Sequence, residues 1–323
     1  MAERWSPYHL RLHRWLSHHP ELLPDGACVV VALSGGQDSM ALLGLLVDLS
    51  RLHHWDLRLW HGNHQLRPDS SQQAAELAAW AAHQNLPIQV ETWSDPRADE
   101  ASARAWRYAA LETAARTWGA SHVATGHTAS DRAETLLLQL ARGSHRRGLA
   151  SLRPTRPLAP GLSLSRPLLL FSRKETALIR QQLHLPLWMD GSNNDPRFSR
   201  NRVRHEVLPV LEQLHPGAGR RISGVAERLA QEQESQQELV ELAMGTLTTS
   251  NRNLDRRSLM ALKPANQRQL LQAWLNRQGY QALPADQLQT LLMRLAPSRA
   301  HGRSALSGGV WLHWNRQHIW LEP

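Results

Sequence analysis

Ala27-Cys28-Val29-Val30-Val31-Ala32-Leu33-Ser34-Gly35-Gly36-Gln37-Asp38-Ser39 decides the fold. Its first seven residues are apolar and rich in β-branched side chains, which suits a strand buried on both faces of a parallel sheet. The run stops at Ser34, and apolar residues return at helical spacing from Ser39 to Leu52. The stretch is therefore expected to fold as strand, glycine turn and helix. Adjacent glycines let the backbone approach phosphate oxygens without interference from a Cβ. The helix behind them offers unpaired N–H groups and a positive dipole end. Ser34 and Ser39 add hydroxyl donors, and Asp38 can hold a magnesium ion against phosphates. The plain alternative is a Gly-Gly turn whose Ser and Asp only cap a helix.

Outward from this point the alternation continues. Strands are expected near Leu57 to His61, Ile88 to Glu91 and His122 to Thr125, with helices near Ser70 to Asn85, Glu100 to Trp118 and Asp131 to Arg142. Such a series implies an α/β fold, a parallel doubly wound sheet with helices on both faces and ligands at the strands' carboxyl ends. Gly143 to Arg166 carries five arginines, Arg166 included, and no acid, among Pro, Ser and Gly; we expect an exposed loop or lid there. Ser172 with Glu175 three positions on marks a helix start. The polar segment from Asp190 to Pro209 reads as a loop, and HPGAG, His215 to Gly219, as the boundary between two domains, 1–215 and 216–323. The second is expected to be mainly helical, with breaks near Thr248 to Asn253, at Pro264 and at Pro284, and with Val310 to Glu322 as a C-terminal hairpin.

Composition narrows the partner. Lys+Arg 37 against Asp+Glu 28 gives a net charge of +9 over 323 residues, a surplus that attracts polyanions and makes nucleic acid the first expectation. A lone cysteine, Cys28, excludes an internal disulfide, a CxxC pair and a Cys-rich metal site, and fits a reducing compartment. No apolar run approaches the ~20 residues that span a bilayer, and the first residues show no hydrophobic leader, so we expect a cytoplasmic protein without membrane partners. Thirteen Trp stand against 3 Tyr and 2 Phe; Trp stacks on bases, although scattered Trp is more often core.

Ser34 to Ser39 resembles the PP-loop of the N-type ATP pyrophosphatases, which split ATP into AMP and pyrophosphate; the Gly-Lys-Ser/Thr of a Walker loop is missing. Successive blocks then resemble the tRNA(Ile)-lysidine synthetases. These are His61-Gly62-Asn63-His64-Gln65-Leu66-Arg67, Ala103-Arg104-Ala105-Trp106-Arg107-Tyr108, and Ala124-Thr125-Gly126-His127 with Asp131 and Glu134-Thr135-Leu136-Leu137. Arg166-Pro167-Leu168-Leu169, Asp190-Gly191-Ser192-Asn193 and Arg200-Asn201-Arg202-Val203-Arg204-His205 with Pro209 continue the series, which covers about Cys28 to Leu211. Thr128 and Ser130 depart from it, standing where members commonly have a second His and one of two adjacent acids. Many members also carry a further C-terminal domain, which we do not expect in a chain of 323 residues.

The resemblance implies a PP-loop, adenine nucleotide alpha hydrolase-like catalytic domain that uses ATP and Mg2+ to join L-lysine to the wobble cytidine of tRNA(Ile) with a CAU anticodon. The change moves codon reading from AUG to AUA. It implies Ser34, Gly35, Gly36, Gln37, Asp38, Ser39, His64, Arg107 and Gly126 at the nucleotide, with Asp38 on the metal. Asp131 and Glu134, three apart at a helix start, are expected to hold the lysine amine and take its proton, with Asp38 and His127 completing the catalytic set. Arg104, Arg146, Arg147, Arg200 and Arg204 are expected on phosphates of ATP or tRNA. Arg200, Arg202 and Arg204 cannot all share one helical face. His61 and His64 follow a strand, which makes a zinc pair improbable. Two other readings stay open: a PP-loop thiolase, against which the single Cys28 speaks, and a non-catalytic basic RNA-binding protein. Monomer and homodimer are both open.

Overall fold

The computed structural model describes residues 5–65, 68–96, 99–188 and 197–322; Leu66, Arg67 and the block 190–193 lie outside the described residues. The chain divides into two compact units, Met1–Ala230 and Gln231–Pro323.

In the first unit, α1 (Pro7–His18) precedes β1 (Cys28–Ala32), α2 (Gln37–His53), β2 (Asp56–Asn63), α3 (Ser70–His83), β3 (Ile88–Thr92), α4 (Glu100–Thr117), β4 (His122–Thr125) and α5 (Ala129–Ala141). Alternation along β1 makes the two-sided core. Val29 and Val31 pack with Leu12, Leu45, Leu49 and Leu77 of α1, α2 and α3, while Val30 packs with Leu111, Ala114 and Ala115 of α4. One strand thus buries both faces, which is why its sequence is apolar without a break.

Gly143 to Arg166 is not the element-free loop expected from its composition. It holds a helical turn, α6 (Arg146–Leu149), and a hairpin of β5 (Thr155–Ala159) and β6 (Leu162–Ser165). The strand order is β3-β2-β1-β4-β6-β5, parallel throughout except for the antiparallel β5–β6 pair at the edge. The signal was short and masked: the buried apolar residues of β6 are just Leu162 and Leu164, beside buried Ser165, Gly161 turns with φ +74°, and Pro157 is tolerated because β5 is an edge strand that needs fewer donors.

After a 3-10 turn (Pro167–Leu170) comes α7 (Arg173–Gln182), capped as expected, with Ser172 N donating to Glu175 Oε2 at 2.7 Å. Burial alone would raise the Glu175 carboxyl, but the Ser172 donors and Arg11 reverse this and bring it down to about 2. Arg11 at 2.8 Å and Arg220 at 3.0 Å both reach this one carboxylate. Residues 197–209, expected as part of a loop, are instead largely helical: α8 (Ser199–Arg202) runs into a π-helical turn (Val203–Val207) and α9 (Leu208–Leu214). Pro209 lies in the first turn of α9, where a missing N–H does no harm, so it does not end the helix. The division between units falls within α10 (Ala218–Leu247), beyond the His215–Gly219 segment.

The second unit contains more sheet than a single hairpin. It adds β7 (Leu254–Asp255), α11 (Arg256–Met260), α12 (Pro264–Arg277), α13 (Ala285–Arg294), β8 (Gly302–Ala305), β9 (Trp311–Trp314) and β10 (His318–Glu322), with strand order β7-β10-β9-β8. At its centre the guanidinium of Arg256, 3% exposed, donates to the carbonyls of Leu295, Ala296, Arg299, Ala300 and Asn315. It closes the end of α13, where helix carbonyls lack internal partners, and ties it to the β9–β10 turn.

Arg256→Leu should therefore lower stability by about 3 kcal/mol or more, because several buried carbonyls lose their donor together. Urea unfolding of the full chain checks this. An unchanged midpoint would mean that water serves those carbonyls equally well.

Candidate active site at the strand ends

Strand order reverses at β1, whose neighbours are β2 and β4. A crevice opens at such a point because the following loops diverge to opposite faces of the sheet. Ser34 to Gly36 fills the β1 side. Gly35 takes φ +77°, a conformation that favours glycine, and no side chain caps α2 at Gly36. Ser34 Oγ lies 3.0 Å from Ser39 Oγ and accepts from Gly36 N at 3.3 Å, which shapes the loop from within.

Gly126, just past β4, meets this loop backbone to backbone. A Cβ there would stand 2.9 Å from Ser39 N and 3.0 Å from the carbonyl carbon of Asp38. Asp38 itself is in the first turn of α2, half-buried, and accepts a short hydrogen bond from Thr176 Oγ1. Its other oxygen is 3.6 Å from Arg173. Burial raises its carboxyl above the usual range, Arg173 opposes this, and the charge of Asp131 adds to the rise. Gln37 points toward α7 and donates to Arg173 O at 2.7 Å and Thr176 Oγ1 at 3.0 Å. The sequence located α7 by its capping box but carried no signal that Arg173 and Thr176 would face Asp38.

Across the crevice Thr128 caps α5 and shares a capping box with Asp131: both Thr128 N and its hydroxyl donate to Asp131 Oδ2 at 2.7 Å. Ser130 Oγ accepts from Arg173 N at 3.1 Å. The two residues that depart from the family pattern thus anchor the start of α5. Asp131 and Glu134 are 8% and 1% exposed, so Glu134 is no solvated surface acid. Arg200 reaches Glu134 at 2.8 Å and Asp131 at 2.7 Å; Arg204 reaches Glu134 at 2.7 Å and Asp131 at 3.4 Å. Arg200 and Arg204, four apart, share the inner face, and Arg202 pairs outward with Glu206 at 3.0 Å. Burial alone would raise Asp131; Arg200, His127 and the Thr128 donors outweigh it and hold the carboxyl below its usual range.

His127 Nδ1 lies 2.9 Å from Thr125 Oγ1. Burial, with Arg166, Arg200 and Arg104 nearby, brings its pKa down to about 3 despite the opposing charge of Asp131, so the ring is neutral near pH 7. Arg104 is exposed on α4 and lies over the Tyr108 ring at 4.9 Å, with Arg156 at 4.8 Å. Arg166, 2% exposed, donates to Arg153 O at 2.6 Å, and burial pulls its pKa to about 10. His64 contacts Trp106 edge-on at 4.8 Å, beside the stacked pair Trp93–Trp106. Trp188 was missed by motif reasoning: its backbone N–H donates to Gly35 O at 3.0 Å, and its Cβ would lie 3.2 Å from a Cβ at Gly35. Arg107 is exposed on α4, and Arg146 and Arg147 are exposed on α6. Among the described residues no cluster of three or more His, Cys, Asp or Glu side chains forms a metal centre, and no helix is long and apolar enough to cross a membrane.

Comparison with known proteins places the chain in a family. Residues 11–211 match the PP-loop domain and residues 254–320 the TilS substrate binding domain. The chain is 53% identical to the tRNA(Ile)-lysidine synthase of Parasynechococcus marenigrum, covering 100% of this chain and 97% of that one. It is 42% identical to that of a Synechococcus strain, covering 96% and 97%. Among solved structures it resembles the U34-tRNA thiolase NcsA from Methanococcus maripaludis, with TM-score 0.58 and 18% identity, over 69% of this chain and 77% of that one. That likeness speaks to the fold alone.

Gly126→Ala should weaken ATP binding about tenfold while lowering stability by about 1–3 kcal/mol, because the added methyl pushes the β4 loop off the start of α2. Calorimetric titration and thermal unfolding measure the two effects, and wild-type ATP affinity would show that the contact is not needed. For His127, the folded pKa of about 3 lies below its ordinary 6.5. The unfolded chain takes up this proton first as pH falls, so between those values the group makes stability decline with falling pH. Imidazole resonances of His127 should stay flat from pH 8 to 5, and His127→Gln should lessen the acid loss of the urea midpoint.

Proposed function

The chain belongs to the tRNA(Ile)-lysidine synthase family and is an ATP-dependent tRNA-modifying ligase; on that premise we propose how its residues divide the work. The substrates are ATP, free L-lysine and isoleucine tRNA with a CAU anticodon, in the cytoplasm. The first unit carries catalysis, and the second binds tRNA. Support comes chiefly from one juxtaposition: a glycine loop suited to phosphate meets, across Gly126, a buried pair of acids at the start of α5.

In the first step the cytosine 2-carbonyl oxygen attacks the α-phosphorus of ATP and pyrophosphate leaves. Backbone N–H groups of the Ser34–Ser39 loop and the α2 dipole receive the phosphates. Asp38 fits a role beside magnesium, since its carboxyl is desolvated and feels the charge of Asp131, and a divalent cation would relieve both. When bound, the ion would shield phosphate charge. In the second step the lysine ε-amine forms a bond to C2 of the base, the C2–O bond breaks as AMP leaves with its electron pair, and the amine's protons pass to Glu134 and from there to solvent. The reference pKa of that amine is about 10.4, so it arrives charged. Asp131, held below the carboxylate range, suits holding this cation better than removing a proton from it. Arg200 and Arg204 already engage both acids, so the incoming ammonium has to share or displace them. His127, neutral near pH 7, cannot serve as an acid and instead offers a hydrogen bond to phosphate or base. A sulfur-transfer reading fits poorly: the Cys28 thiol lies at the start of β1, away from the loop, and burial pushes its pKa up.

Incubation with ATP, labelled lysine and the CAU tRNA should put label into RNA and release AMP and pyrophosphate; ADP as the main product would refute the mechanism. Glu134→Gln should raise the apparent KM for lysine about tenfold or more while tRNA adenylation continues, because charge-assisted contacts are among the stronger ones. Equal loss of pyrophosphate release and lysine transfer would move Glu134 to the nucleotide.

A further inference from the structure

The C-terminal strands were singled out in the sequence as a hairpin, and the catalytic scheme gives them no task. Alternation sorts their side chains. Leu312, Trp314 and Ile319 enter the core of the second unit, with Leu321 packed against it. The opposite face carries Arg303 of β8, Trp311 and His313 of β9, and His318 and Trp320 of β10, none of them buried. Register sets Arg303 beside His313 and His313 beside Trp320, so these three form one row across the sheet.

The rings are held in fixed poses. His313 stacks on Trp320 with centroids 5.7 Å apart and planes at 21°. The Trp320 indole donates to Glu322 at 2.8 Å, and His313 lies 3.3 Å from the same carboxylate. The Arg303 guanidinium sits 4.5 Å over the Trp311 ring, which is 36% exposed. Charge is complementary to a polyanion: from Arg294 onward the sequence has four arginines and three histidines against one acid, Glu322. That acid is already engaged by the two rings. A monomer without a partner has little reason to leave two tryptophans on an exposed sheet face, and an apolar protein partner would not call for arginine at their edge. Flat rings beside cations suit nucleobases, which every base offers as a π-face, with phosphates between them.

We propose that this outer face of β8, β9 and β10 is a stacking platform for unpaired nucleotides of the tRNA, with Trp311 and Trp320 under bases and Arg303 at a phosphate. The assignment rests on tRNA being the substrate, as argued above. Double-stranded RNA cannot use it, because its bases are not free to stack on a protein ring.

The test uses the full chain, labelled CAU tRNA, a single-stranded RNA oligonucleotide and a perfect RNA duplex, with binding followed by anisotropy. Trp311→Ala should weaken tRNA and the single strand about tenfold, Trp311→Tyr should recover most of the loss, and ATP affinity and duplex binding should not change. Arg303→Ala should reduce the salt dependence of binding, whereas Trp311→Ala should leave it as it was. Trp311→Ala/Trp320→Ala with wild-type tRNA affinity and unfolding temperature would overturn the proposal, as would equal losses for duplex and single strand. If the double variant does not fold, the Trp311→Tyr and Arg303→Ala pair carries the same decision. Failure of the wild-type chain to attach lysine would instead count against the catalytic reading, since the oligonucleotide titrations do not depend on that reaction.

Discussion

The backbone of Gly126 rests directly on the peptide between Asp38 and Ser39, and no Cβ fits between them. Much of the active-site arrangement follows from this contact. It brings the loop after β4 within reach of the loop after β1, so that a helix start from each side of the switch point opens into the same crevice. One starts at Gly36 without a side-chain cap; the other presents Asp131 and Glu134. A larger residue at 126 would push the loop after β4 away from the start of α2.

The buried charges near this contact show how the protein limits the cost of desolvation. Two carboxylates and two guanidiniums share a small volume, and paired in this way they avoid the several kcal/mol per ion that isolated burial costs. The consequences differ by residue. Asp131 stays ionised because donors surround it, while His127 is kept neutral by burial and nearby arginines although Asp131 pulls the other way. Asp38, with fewer donors, is raised and is the carboxylate most receptive to an added cation. One environment therefore holds one carboxyl low, one imidazole neutral and another carboxyl raised.

The tryptophans separate by unit and by purpose. Trp55, Trp60, Trp93, Trp274 and Trp314 are buried, in keeping with the ordinary fate of a large ring. Trp188 braces the glycine loop through Gly35. Trp311 and Trp320 lie on a sheet face whose opposite side already satisfies the core. Arg256, holding backbone carbonyls from beneath, gives that small sheet a rigid support.

By itself the sequence determined the α/β alternation, the strand–loop–helix at Ser34 to Ser39 and the presence of a helix near Asp131 to Arg142, which the structure begins two residues earlier at Ala129, because these depend on periodicity within a few residues. The hairpin inside Gly143 to Arg166 was not legible: β6 offers two buried leucines among prolines and glycine, and its pairing with β4 is made some forty residues away in sequence. The helix through Arg200 and Arg204 was hidden by Pro209 and by a polar composition that tertiary charge pairing supports. That Thr176 faces Asp38, and that two arginines meet Asp131 and Glu134, only the tertiary structure decided. Local sequence fixes which residues form a helix or strand, but distances between side chains 70 or 138 positions apart are set by how whole elements pack.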